Sequence, residues 1–69
     1  MNMKMFDTYV NEYRTIHNKE DTLKMLSIHE NYLNYCKFNY SVKTLKEYEA
    51  KIKHIQELKR RCKNDVDIL

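Results

Sequence analysis

The stretch "LKEYEAKIKHIQELKRRC", Leu45 to Cys62, decides the fold. Leu45, Tyr48, Ile52, Ile55 and Cys62 recur at steps of three and four, which places their side chains on one side of an α-helix. Lys59 interrupts the row, and Leu58 beside it compensates. Val66 and Leu69 continue the row, and a stripe of three heptads can pack within one subunit or form the seam between two; Leu45, Tyr48, Ile52, Ile55, Leu58 and Cys62 are the candidate packing row or dimer seam. The helix should begin between Ser41 and Leu45. Ser41 is one candidate cap and Thr44 the other, because "TLKE" sets Glu47 three residues on as a capping box.

The end of this segment is weaker. "NDVDIL" places Asp65 and Asp67 at a helix C-terminus, where the dipole disfavours acids. Fraying over 64–69 is expected, with docking of Val66, Ile68 and Leu69 on another surface as the alternative. Upstream, "KFNYS" is a connection short enough to make its flanking helices antiparallel neighbours.

The segment before it, about 21–39, carries adjacent apolar or aromatic pairs: Met25 with Leu26, Ile28 with His29, Tyr32 with Leu33, and Tyr35 with Cys36. Such pairs cover more than a coiled-coil seam and suit a central helix between two neighbours. The first segment, about 3–17, places Met5, Phe6, Tyr9, Val10, Tyr13 and Ile16 on one wide apolar side that needs cover. "NKED" offers a break between these two segments, with Asn18 or Asp21 as cap. The expected architecture is all-α: a small antiparallel bundle of two to three helices, 3–17, 21–39 and 43–63, forming one domain and completed by dimerisation.

Dimerisation has a physical warrant. A chain of 69 residues hides only about 60% of its unfolded surface, so its own core is small. Short helices are marginal alone, and three apolar sides exceed what a two-helix hairpin covers. A monomeric three-helix bundle is the alternative.

Composition excludes several function classes. Gly and Pro are both absent, so a phosphate-cradling Walker loop and a dinucleotide fingerprint have no material. His17, His29 and His54 lie on different segments, and no pair has the three- or four-residue spacing of helical metal ligands. Glu47 and Glu49 are two apart and face different ways. Cys36 has no local base or cation to activate it. No catalytic residue, metal ligand or cofactor is assigned. Cys36 and Cys62 match no redox or zinc spacing and read as free, partly buried thiols. With no apolar leader or long apolar run, the expected setting is reducing and cytoplasmic, without membrane contact.

The net charge of +3 is unevenly distributed. Residues 1–40 hold five basic and five acidic side chains, whereas 41–69 hold eight basic and five acidic. Lys51, Lys53, Lys59, Arg60, Arg61 and Lys63 form the basic candidates for nucleic-acid or acidic-protein contact. Glu49, Glu57, Asp65 and Asp67 dilute them, and the connection lacks the Gly-containing turn often found in helix-turn-helix motifs. Six tyrosines suit the rim of a small core or a protein interface. Tyr35, Lys37 and Tyr40, with Phe38, could form an aromatic-cationic corner at the second connection. The sequence therefore supports a non-enzymatic interaction module, an accessory regulator or inhibitor acting as a homodimer on another protein. A DNA- or RNA-binding regulator using the basic last helix is the alternative.

Overall fold

The computed structural model describes residues 3–37 and 42–69, which form three helices: α1 Met3–Ile16, α2 Lys19–Lys37 and α3 Val42–Lys63. The chain is an all-helical bundle. Ser41, the Thr44 side chain, Phe38 and Tyr40 lie outside the described residues and side chains, so neither expected α3 cap nor the full aromatic-cationic corner is described.

Two residues separate α1 from α2. Asn18 caps α2: its Oδ1 accepts the Asp21 N–H at 2.8 Å, satisfying one of the amides that a helix start leaves unpaired. Glu20 and Asp21 then lie in the first turn, favourably placed against the dipole. Thr22 is fully buried, and its hydroxyl donates to the Asn18 carbonyl at 2.9 Å. That bond removes the penalty for burying a polar group at the α1–α2 corner.

Side-chain bridges give the helix directions. Glu30 on α2 accepts from Gln56 and Lys59 on α3, while Lys19 at the start of α2 reaches the Lys63 carbonyl at the end of α3. These two helices are therefore antiparallel. Asp7 on α1 pairs with His54, and Arg14 reaches Val66 beyond α3, so α1 runs parallel to α3. The bundle goes up, down and up, with principal extents of 36 × 19 × 17 Å. The longest matches the about 33 Å expected of the 22-residue α3.

The core joins Phe6 and Val10 of α1, Met25, Leu26 and Leu33 of α2, and Ile52, Ile55 and Leu58 of α3. Leu26, Ile55, Leu58 and Val10 are almost wholly excluded from water. Each contributes on the order of 1.5–3 kcal/mol by burial. Tyr13 and Tyr48 pack at the edge, and Cys36 and Cys62 are buried free thiols.

Past α3 the chain turns back and Ile68 alone of the last six residues is buried, while Val66 and Leu69 stay exposed. The Val66 N–H donates to the Arg61 carbonyl at 2.8 Å and the Asp65 N–H to the Cys62 carbonyl at 3.3 Å, the two bonds of a Schellman cap. Asp65 takes the left-handed position at φ 59°, a place usually filled by Gly, which this chain lacks. The turn carries Ile68 back into the core. Arg14, Lys19 and Arg61 donate to the carbonyls of Val66, Lys63 and Ile68 respectively, supplying cations to a helix end that the acids alone would disfavour. Lys19 also bridges Asp65 at 3.0 Å.

Candidate interaction surface

The expected seam on α3 faces inward. Ile52, Ile55, Leu58 and Cys62 are buried within one chain, Tyr48 packs against the core, and Leu45 is half-buried. Their 3,4 spacing thus serves packing against α1 and α2, and the four buried side chains are inaccessible to a second molecule without opening the bundle.

The basic candidates do not form one patch. At about 100° per residue, Lys51 and Lys59 lie about 80° apart within the arc of the buried row, and Lys53 lies on the far side. Lys51 is half-buried, with its ammonium 5.7 Å from the Tyr48 ring centroid. It shares a groove of about 400 Å³ with Met3, Glu47, Ala50 and His54. Lys59 bridges Glu30 at 3.0 Å. Gln56 and then Lys59 hold the Glu30 carboxyl below its ordinary value by hydrogen bonding.

Arg60 and Arg61 share one carboxylate. Arg60 binds Glu57 through two nitrogens, at 2.6 and 3.0 Å, and Arg61 binds it at 3.1 Å. These hydrogen bonds, Arg60 first, push the Glu57 carboxyl down to about 2. Lys53 and Lys63 are exposed, but acids and bases alternate along the outer side of α3 as Lys46, Glu49, Lys53, Glu57 and Arg60. Of the six basic candidates, Lys59, Arg60 and Arg61 are therefore engaged by carboxylates, while Lys53 and Lys63 stay on the surface.

The tyrosine-rich side is organised differently. The adjacent pairs on α2 divide in three ways: Met25 and Leu26 are both buried, Leu33 and Cys36 are buried while their neighbours Tyr32 and Tyr35 are exposed, and Ile28 is exposed beside a half-buried His29. The outward members are spaced four and three apart and form a stripe. On α1, Phe6 and Val10 are buried while Met5, Tyr9 and Ile16 are exposed. The two stripes flank one groove of about 340 Å³, lined by Tyr9, Tyr13, Met25, Ile28 and His29, with Asp21 and Lys24 at its edge.

Ring contacts fix the floor of this groove. The Phe6 ring meets His29 edge-on at 5.2 Å, and Tyr9 lies 6.0 Å from Tyr13. Tyr13 in turn stacks on His17 at 4.0 Å. The α1 positions that reach α3, Asp7 and Arg14, are about 160° to 180° around the helix from Tyr9 and Met5, so the aromatic side and the charged outer side of α3 are separate faces. Of the residues chosen from sequence as contacts, Tyr35 lies on the aromatic side and Lys37 is half-buried near its end.

The sequence reading places Met5 and Ile28 on apolar sides that need cover, and gives Tyr9 and Tyr32, with the other tyrosines, to a core rim or a protein interface. The apolar positions of α1 and α2 span a wider arc than the two neighbouring helices cover, so the members at its outer edge, Ile28 and Tyr32 on α2 and Met5 and Tyr9 on α1, stay exposed.

Among the described residues no three His, Cys, Asp or Glu side chains converge as metal ligands, and no helix is long and apolar enough to cross a membrane. No family model, curated protein or solved structure matches the chain.

Proposed function

We propose that the chain is a non-enzymatic protein-interaction module, an accessory regulator or inhibitor that works by laying its α1–α2 aromatic side on another polypeptide. Its mechanism is occlusion or scaffolding: rigid helices present side chains, and no bond chemistry is performed. The observation that carries this is the exposure of Met5 and Tyr9 on α1 and of Ile28, Tyr32 and Tyr35 on α2, with Tyr9 and Ile28 lining the groove between the two helices, while the apolar row of α3 is consumed in the core. Tyrosine combines large apolar area with few rotatable bonds, the combination enriched at the energetic centres of protein interfaces.

The charge arrangement weighs against nucleic acid as the main partner. Phosphate binding draws on cations that can neutralise successive phosphates. Here Lys59, Arg60 and Arg61 already engage Glu30 and Glu57.

A photoreactive amino acid placed at Tyr35, and separately at Lys53 on the outer side of α3, tests the assignment in the native cell. Covalent adducts to polypeptide are expected from Tyr35 and not from Lys53. Adducts from Lys53 alone, or adducts to nucleic acid, contradict it.

A further inference from the structure

We infer that the occupant of the α1–α2 side is a second copy of the chain, docked about a two-fold axis running along the bundle; this rests on the interaction-module reading and names its partner. Area is the first argument. Met5, Tyr9, Ile16, Ile28, Tyr32 and Tyr35 are exposed to 70%, 47%, 79%, 68%, 65% and 71%. Taking about 200 Å² for a fully exposed Tyr and somewhat less for Met and Ile, they leave on the order of 700 Å² in water. The largest apolar patch on a typical monomer is about 300–600 Å², and a standard stable interface covers about 800 Å² on each partner. The patch is therefore large for a lone chain and of the size one subunit contributes to a dimer.

Register is the second argument. Phe6 meets His29 across antiparallel helices of equal rise, so residues of α1 and α2 whose numbers sum to about 35 share a level. Met5 and Tyr32, and Tyr9 and Ile28, therefore lie within about 3 Å of a common level, and Glu12 and Lys24 within about 1.5 Å. A two-fold axis along the bundle preserves level and exchanges the helices, setting α1 of one copy over α2 of the other. Met5 then meets Tyr32 of the partner subunit, Tyr9 meets Ile28 of the partner subunit, and the exposed Glu12 meets Lys24 of the partner subunit. At Met5 and Tyr9 apolar side chains fall on apolar ones and at Glu12 an acid falls on a base, twice by symmetry, whereas Ile16 falls near the level of Glu20 of the partner subunit. An axis across the bundle would pair α1 with α1 and leave Glu12 and Lys24 on different helix pairs.

Light-scattering mass over a concentration series, run on the wild type and four variants, tests both arguments. The wild type is expected to reach twice the 8.5 kDa of one chain. Ile28→Asp is expected to remain at one chain with an unchanged helical spectrum, since Ile28 contributes to the surface and not to the core. Glu12→Lys and Lys24→Glu should each weaken association roughly tenfold by opposing like charges, and the double exchange should return it to near the wild-type value.

A wild type that stays at one chain up to millimolar concentration overturns the inference, as does a dimer indifferent to Ile28→Asp. A double exchange that adds the two losses instead of cancelling them overturns the register. A one-chain mass together with a Tyr35 adduct to a different protein removes the second copy while leaving the interaction module. A one-chain mass with no polypeptide adduct removes both.

Discussion

Asp65 shows how a chain without glycine ends its longest helix. The left-handed position at φ 59° costs an L-residue energy, and Asp is among the few types that visit it readily. Asp65→Gly should relieve that cost and stabilise the fold by about 0.5–1 kcal/mol, less a small loss from the exposed Lys19 bridge. Asp65→Val should destabilise it by about 1–2 kcal/mol, because a β-branched side chain clashes there. For a domain of this size, thermal melts should separate the two variants by several degrees. Equal melting temperatures would show that the Schellman turn does not constrain the native state. The turn was not legible in the sequence for the same reason: its bonds are backbone to backbone, and Asp in place of Gly removes the usual signal. At the other corner Asn18 was legible as a cap because a side-chain amide before a periodic segment has a local partner, the Asp21 N–H.

At the level of elements, α3 was the most legible because a 3,4 row specifies both helix and buried side, and Ile52, Ile55, Leu58 and Cys62 are the side chains it buries. What the row could not specify was whether another chain or this one covers it, which depends on how α1 and α2 return across it. The basic residues behave likewise. Glu57 to Arg61 was visible as an i,i+4 pair, whereas Lys59 to Glu30 spans two helices and follows only from their antiparallel docking. Glu57 also supplies a pH dependence. Its folded-state pKa is pushed down to about 2 from 4.5, so the carboxylate's contribution is present above the unfolded value and is lost as pH falls from about 4.5 toward 2. Chemical melts should therefore show a smaller acid-induced loss of stability between pH 5 and pH 2.5 in Glu57→Gln than in the wild type. An identical loss would mean that Arg60 and Arg61 do not hold Glu57 in solution. The tail offers a second check on packing between elements. Ile68→Ala should cost about 2–4 kcal/mol if Ile68 is seated in the core. A cost near zero would restore the frayed end.

For the whole molecule, the division of its surface matters more than the fold class. Mean hydropathy is low, at -0.86, yet the apolar residues left in water are concentrated where α1 and α2 meet. The sequence disclosed that there was more apolar side than two helices could cover, and it disclosed the tyrosine excess. It did not disclose which positions would remain outside, because adjacent pairs on α2 leave either member free to turn inward until α1 and α3 are placed. The resulting separation, aromatic side on α1–α2 and balanced charge on the outer side of α3, is the central claim. Amide chemical shifts followed through a dilution series test it most directly. Concentration-dependent shifts are expected at Met5, Tyr9, Ile28, Tyr32 and Tyr35, with Lys53, Arg60 and Lys63 unchanged. Shifts confined to the α3 outer side, or none anywhere at concentrations where the mass doubles, would contradict it.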